Sequence, residues 1–479
     1  LRLISRIPNL TIVSRDGAEA SVLQRAIRSK GRGVSIRQLL HDIPTLVQNL
    51  APCMLMSPLS VAQYLDFDNP PFDLVIFDEA SQLQTCKAIG ALTRAKNAII
   101  VGDPKQMPPT AFFQSQTSDE EFSDTTDLES ILEDCLAINM PSTYLQWHYR
   151  SRHESLISFS NVQFYESKMC TFPSADDAQS KVSLVHVDGY YEGSGLNSFE
   201  AKAIVEELKR RFEQSNGQPP SIGVITFNVK QQNFIEDLLE EEYAKNPKFE
   251  AWALSGAEPL FVKNLENVQG DERDVVLFSV TYAPGENGKM AMRFGPINNE
   301  GGWRRLNVAV TRSRVEMMVF ATLEPDNIDT NKTASKGVRA LKNFLSFAKH
   351  GKFLGNNTTI RRSEDYIAAD LCQMLSDKGF SPVRNVGSSA YKVDIAIKSH
   401  ADSTHYLAGI LLDGESYNTA KTTRDREVAR EQMLRQLGWN IFKVWSVDWW
   451  SNPERIVDEL VDALTRIADD EAASTGATQ

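Results

Sequence analysis

Short apolar runs that close on polar residues alternate along most of this chain with stretches whose apolar residues recur three and four apart. The first 52 residues carry only the second pattern, and "DGAEASVLQRAIRSKGR" and "SIRQLLHDIPTLVQNL" predict helices. From there "PCMLMSP", "FDLVIFDEAS" and "NAIIVGDPKQ" read as buried strands, separated by the helical stretches "SVAQYL" and "LQTCKAIGALTRA". Apolar runs interleaved with helices predict a parallel sheet covered on both faces, with its chemistry at the C-terminal ends of the strands.

A second α/β pattern follows. "SKVSLVHVD", "SIGVITFNVK", "ERDVVLFSVTYA" and "VEMMVFATL" predict strands, and "NSFEAKAIVEELKRRFEQ" and "VKQQNFIEDLLEEEYAK" predict helices. The Gly- and Asn-rich "HGKFLGNNTT", residues 350–359, marks a break. Beyond it lie helix "SEDYIAADLCQMLSDKGF", strands "YKVDIAIKS" and "HYLAGILLDG", helix "TRDREVAREQMLRQLGW", strand "NIFKVWSV" and helix "NPERIVDELVDALTRIA". The end, "DDEAASTGATQ", has the composition of a disordered tail.

Composition narrows the class. With 479 residues the chain is long enough for two to three domains, and 42% hydrophobic with 24% charged residues is globular. It has no apolar run of about 18 residues to span a bilayer and no signal-peptide core, so no membrane partner is expected. Five scattered cysteines, none in a C-x-x-C pair, indicate neither a disulfide framework nor a zinc site, which fits a cytoplasmic setting. A net charge of -12 argues against coating nucleic acid through bulk positive charge and leaves room for a local basic groove. The acidic residues of 117–135 read as a solvated loop and helix face.

The chemistry begins at "FDLVIFDEASQL". A carboxylate at a strand end holds Mg²⁺, and a neighbouring one orients the attacking water in nucleotide hydrolysis; Asp78 and Glu79 stand where both tasks are done. The next strand ends in "VGDPKQMPPT", where Gly102 and Pro104 tighten the turn and Gln106 offers a neutral contact to a phosphate oxygen. An isolated Asp-Glu pair is more often a polar turn. This one is followed in order by "LQWHYRSRHESLISFSN", "VITFNVKQQ", "NVQGDERDVVLFS" and "RRLNVAVTRSR", over about 240 residues in all.

Those motifs resemble superfamily 1 helicases of the Upf1-like branch. The resemblance implies two RecA-like domains with ATP in the cleft between them. It implies that Asp78 and Glu79 hold magnesium and activate water, that Gln106 senses the γ-phosphate, and that Arg150 and Arg312 reach the phosphate from the second domain. Gln269 and Glu272 match the motif that contacts ribose or phosphate. Ser57, His148 and Thr226 become candidates for the nucleic-acid track, and Trp147 reads equally as a base platform or as core packing. The phosphate-binding loop G-x-x-x-x-G-K-[ST], the Walker A motif, is absent. The expectation is therefore a fragment whose Walker A loop lies upstream in the same polypeptide, in keeping with a first residue that is Leu, not Met.

In the last unit, acidic residues stand at Glu364, Asp394 and Asp413. Metal-dependent phosphodiesterases need such a cluster to polarise phosphate and generate hydroxide. Asp394, inside an apolar strand, is either metal-bound or a structural ion pair with Lys392, Arg424 or Arg426. "VDIAI", "LLDGESY", "TTRDREVAREQMLRQLGW" and "VWSVDWWSNPE" resemble the Vsr-like, restriction-endonuclease-fold domain that follows such a helicase in some bacterial defence proteins. The resemblance implies Mg²⁺ at Glu364, Asp394 and Asp413. The chain departs from it at Leu411, where many relatives carry glutamate, and at Asn418, often histidine. Arg424, Arg426 and Arg430 either grip phosphates or are solvated.

The fold expected is α/β: the C-terminal part of a first RecA-like domain (1–140), a second RecA-like domain (141–349), a linker (350–359), a restriction-endonuclease-like α/β domain (360–468) and a disordered tail (469–479). The function expected is an ATP-dependent motor on DNA or RNA coupled to a DNA endonuclease. The rivals are a remodelling helicase whose last domain binds without cutting, and an inactive nucleic-acid interaction module.

Overall fold

The computed structural model describes residues 15–109, 130–176, 179–215, 221–351, 366–389, 391–398, 403, 405–414, 417 and 422–476. Glu364, Asn418, residues 117–129 of the acidic stretch and 352–359 of the linker lie outside the described residues, as does the side chain of Arg426. Two units divide the chain, Leu1–Thr143 and Tyr144–Gln479.

In the first unit the amphipathic stretches form helices Arg15–Arg28, Ile36–Asp42 and Pro44–Leu50, which close on Ala20, Ile43 and Leu46. Ser35 caps the second by accepting from Gln38 N at 3.1 Å. "PCMLMSP" forms no strand, contrary to expectation. It has no β-branched residue and is bracketed by prolines, Leu55 faces solvent, and Ser57 instead caps helix Pro58–Tyr64. Strands β1 (Val75–Phe77) and β2 (Ala98–Ile100) pair in parallel, with Val75 opposite Ala98. One side packs on Phe77, Ala80, Ala88, Ala91, Ile131 and Leu132, whereas Ile76 and Ile99 remain 59% and 48% exposed.

The second unit holds a five-stranded parallel sheet in the order β3-β7-β6-β4-β5: β3 Val182–His186, β4 Ile222–Thr226, β5 Phe261–Asn264, β6 Arg273–Ser279 and β7 Ser313–Ala321. All five residues of β4 are buried, as expected of an unbroken apolar run inside a sheet. Helices Ser198–Gln214 and Val229–Lys245 are capped by Asn197 and Asn228, whose side chains accept from Glu200 N and Gln231 N.

In the same unit a mixed sheet follows: β8 Ser381–Val386, β9 Val393–Lys398, β10 Ala408–Leu412 and β11 Ile441–Val444, ordered β11-β10-β9-β8, with β10 and β11 parallel and the other pairs antiparallel. Helices Tyr366–Asp377 and Pro453–Gly476 cover one face through Leu371, Leu375, Leu460 and Leu464. The other face closes on Tyr406, Leu434, Trp439 and, from the preceding domain, Phe172. The last helix runs to Gly476, through most of the segment expected to be a disordered tail. The stretch expected as one helix over 423–439 contains a π turn, Asp425–Ala429, before helix Arg430–Gln436.

Candidate functional site

Asp78 and Glu79 leave β1 at its C-terminal end, and both are exposed. Glu79 has φ 52° and ψ 39°, the left-handed region, which costs a residue with a Cβ roughly 1–2 kcal/mol. The turn is held by Ala80 N donating to Val101 O at 2.9 Å and Glu79 N donating to Asp78 Oδ1 at 3.0 Å. Gly102, at the end of β2, is required by the close approach: a Cβ there would lie 2.9 Å from Ser81 N. In the following turn Asp103 accepts from Lys105 N at 2.8 Å and from Gln106 Nε2 at 3.1 Å. Asp78, Glu79 and Gln106 thus stand at the same ends of two adjacent parallel strands. Asp78 uses one oxygen on its own turn and is otherwise open, which fits a Mg²⁺ ion held largely through water.

The second unit brings Arg150 to Glu272. Arg150 Nε meets Glu272 Oε2 at 2.7 Å, with about a third of each side chain exposed. Glu272 is shared with Arg314, whose Nη1 lies 3.3 Å from Oε1. Arg314 also donates to Asp274 at 2.8 Å, to Ser221 Oγ at 2.9 Å and to both oxygens of Glu258, and holds the Glu258 carboxyl well below the usual range, at about 2. Arg314 and Glu258 were not singled out from the sequence; the signal for Arg314 is that it follows Arg312 by two in "TRSR", one strand period on.

Arg312 itself is only 2% exposed. Its Nε donates to Val308 O at 2.8 Å, Nη1 to Asp271 O at 3.4 Å and Nη2 to Thr311 Oγ1 at 3.1 Å. A buried guanidinium needs acceptors on every side. Its position inside the domain, tying helix Trp303–Val310 to the turn between Gln269 and Glu272, differs from that of an arginine reaching outward.

The candidates for the nucleic-acid track divide. Thr226 is fully buried, with its hydroxyl donating to Asn228 O at 2.9 Å, so it presents nothing to a strand. Ser57 is exposed, but its oxygen caps a helix by accepting from Ser60 N at 3.1 Å. Trp147 is packed, its ring 5.3 Å from Phe172 and 5.4 Å from Tyr391, which is the core-packing reading, though it keeps 39% exposure. His148 Nε2 accepts from Ser151 N at 3.1 Å, and burial, then the charge of Arg150, push its pKa down to about 4. It is neutral at pH 7, with its proton on Nδ1.

A buried network passed unnoticed in the sequence. Glu200 is 0% exposed and accepts from Ser279 Oγ and Thr281 N, each at 2.7 Å, and from Thr322 N at 3.0 Å. Burial pushes its carboxyl up to about 7, against those donors. Thr281 is held at φ 68° by this contact, a strained value for a β-branched residue.

In the mixed sheet the two described acidic candidates are engaged internally. Asp394 Oδ2 accepts from Leu412 N at 2.9 Å and from Arg430 Nη2 at 3.3 Å; Arg430, 5% exposed, also donates to Lys392 O. An ion pair of the kind considered from the sequence is therefore present, with Arg430 as a partner of Asp394. Asp413 Oδ1 accepts from Ser446 N at 3.0 Å and from the Ser446 hydroxyl. Leu411 is 7% exposed, in the apolar cluster with Trp439 and Ile441. A shallow hollow beside it is lined by Asp413 but also by Arg430 and Lys443. Among the described residues no group of three or more His, Cys, Asp or Glu could hold a metal, and the third expected ligand, Glu364, lies outside them.

Residues 53–114 match the AAA domain family AAA_11, residues 125–324 the AAA domain family AAA_12, and residues 368–464 the family REase_MTES_1575. The chain carries AAA domains of the helicase type and a restriction-endonuclease-like domain. It is 31% identical over 447 residues to the "Uncharacterized ATP-dependent helicase MG140" of Mycoplasma genitalium, covering 88% of this chain and 39% of that one. The homologue of that protein in Mycoplasma pneumoniae is 30% identical over 452 residues, with the same shares. The chain therefore spans well under half the length of these relatives. A solved C-terminal domain of a possible DNA helicase from Lactobacillus plantarum overlaps at 14% identity and a TM-score of 0.23, covering 37% of this chain and 91% of that one. Among the described residues no helix is long and apolar enough to cross a membrane.

Proposed function

We propose that this chain is the part of an ATP-dependent nucleic-acid motor that carries its water-activating carboxylate and its second-domain arginine, and that its C-terminal domain binds DNA without cutting it. The observation that carries the motor reading is the strained, exposed Glu79 beside Asp78 at a strand end, because such strain persists where a side chain is aimed for chemistry. In this reading Asp78 holds Mg²⁺, which supplies charge neutralisation on the phosphates when bound; Glu79 takes the proton of the attacking water; and Gln106 contacts the γ-phosphate. Arg150 stabilises the transferring phosphoryl group, Gln269 and Glu272 contact the nucleotide, and Arg312 holds the turn that carries them.

The Walker A loop is assigned to an upstream part of the same polypeptide. The open side of the β1–β2 sheet, with Ile76 and Ile99 exposed, and the 39% share of the relatives support that assignment. The substrate is DNA, with RNA the alternative; the helicase names of the relatives support a nucleic acid and do not divide the two.

For the C-terminal domain, the Arg430–Asp394 pair supports binding without cleavage, since a buried guanidinium supplies the positive charge that a metal would bring. The restriction-endonuclease-like match favours a second reading, Mg²⁺-dependent cleavage through Glu364, Asp394 and Asp413. The full-length protein tests both. The proposal expects DNA-stimulated ATP hydrolysis that Glu79→Gln abolishes, and DNA left at full length with Mg²⁺ present. Cleavage lost in Asp394→Ala would establish the second reading instead.

A further inference from the structure

Between the two domains of the second unit, the segment that bears Arg150 is held from the C-terminal domain. Its N-terminal end, Gln146–His148, pairs with Cys170: Cys170 N donates to Gln146 O at 2.6 Å and His148 N to Cys170 O at 3.1 Å. The residues that follow Cys170 are bound directly to the mixed-sheet domain. Thr171 N donates to Ser389 Oγ at 3.0 Å, and Ser389 Oγ donates to Thr171 O at 2.6 Å. Trp439 Nε1 donates to Pro173 O at 2.7 Å.

At the other end of the segment, Glu154 is 9% exposed and has its two oxygens divided. One accepts from the Thr171 hydroxyl, the other from Ser388 N of the C-terminal domain at 2.7 Å. In the middle, Tyr391 stacks on Phe172 at 4.9 Å and meets Trp147 at 5.4 Å. A carboxylate taken out of water is stabilised by such donors, and one of those of Glu154 is a backbone amide of the other domain. Arg150 lies between these two anchors, four residues from Glu154 and three from Trp147.

We propose that the C-terminal domain is a positioning element for Arg150: Ser388 on Glu154, Ser389 on Thr171 and Tyr391 on Trp147 hold the arginine-bearing segment in register for phosphoryl transfer. The domain then governs ATP turnover whether or not it cuts anything. A movement of the mixed sheet, such as one caused by DNA bound to it, is transmitted to Arg150 through contacts already in place. This rests on the motor reading above for its effect on turnover, but not for the mechanical link.

The test uses Ser388→Pro, which removes the amide that Glu154 accepts from, alongside Tyr391→Ala and wild type, all in the full-length protein. In ATP hydrolysis, kcat is expected to fall about tenfold in Ser388→Pro with KM for ATP unchanged, because an arginine at the transferring phosphate acts on the transition state and not on ground-state binding. Combined with Arg150→Ala, Ser388→Pro is expected to add nothing further. Amide hydrogen exchange on the same proteins reads the link without ATP: protection at His148 and Cys170 is expected to drop in both variants while the β4 and β6 amides stay protected. Unchanged exchange at His148 and Cys170, or an unchanged kcat with their exchange increased, overturns the proposal. Wild type without ATPase activity, but with the exchange response intact, removes the motor reading and leaves the link.

Discussion

Asp78 and Asp394 are both aspartates of short apolar strands, and both were candidate metal ligands, yet the structure treats them in opposite ways. Asp78 stands one residue past the end of β1, exposed, with a single hydrogen bond inside its own turn. Asp394 lies inside β9, where Leu412 N and Arg430 already occupy its Oδ2. The difference is one of position along the strand. A carboxylate beyond a strand end can wait in water for a ligand, whereas one within the sheet needs donors or a cation as the protein folds.

The sharpest way to break the comparison is at the open site. Glu79→Gln keeps the turn and removes the base, so ATP turnover of the full-length protein is expected to fall by about 10²–10⁴-fold while DNA binding persists, as measured by phosphate release and by a filter or anisotropy assay. At the closed site the expected loss is of stability. Asp394→Ala leaves Arg430 buried without its carboxylate and is expected to cost about 3–5 kcal/mol in a urea melt; Asp394→Leu with Arg430→Met together should recover most of it. Equal losses in the single and double variants would mean that the pair is not what holds the two residues there.

Leu411→Glu introduces the acidic residue that the restriction-endonuclease-like resemblance leads one to expect there. Because position 411 lies in an apolar cluster, it is expected to destabilise the domain by roughly 2–3 kcal/mol and to produce no Mg²⁺-dependent cleavage. A stable, cutting variant would show the site to be a nuclease centre one residue short. The smallest effect concerns Glu200, a third carboxylate and the most enclosed. Its folded pKa, about 7, lies above its ordinary 4.5, so between those values the folded chain holds a proton that the unfolded chain has released. Stability therefore falls as the pH rises from about 4.5 to about 7, because the folded carboxyl gives up its proton less readily than the unfolded one. Glu200→Gln should flatten that part of the pH profile of thermal melts; a profile parallel to wild type would assign the slope elsewhere.

Much of this was legible in the sequence. The strands that carry motifs, β1, β2, β4, β6 and β7, are built around apolar runs and lie where their pattern predicts. Strands β5, "FVKN", and β8, "SPVRNV", are half-exposed and polar, so no periodicity marks them. "PCMLMSP" misled because apolar content alone does not make a strand without β-branched residues or a partner. At the sites, Asp78, Glu79 and Gln106 were readable because their neighbours in sequence are their neighbours in space. The pairing of Asp394 with Arg430 was not: Arg430 is 36 residues away and is brought in by the helix that follows a π turn. The buried position of Arg312 was hidden for the same reason, since its acceptor Asp271 O belongs to a different motif.

The central claim is that one carboxylate site turns over nucleotide and the other is closed by its own arginine. A single reaction of the full-length protein with ATP, Mg²⁺ and duplex DNA, followed at once for phosphate release and for DNA length, tests it most directly. The expected result is phosphate release that depends on Glu79, with DNA that stays intact in wild type and in Asp394→Ala alike. Shortening of the DNA in wild type that disappears in Asp394→Ala would contradict it.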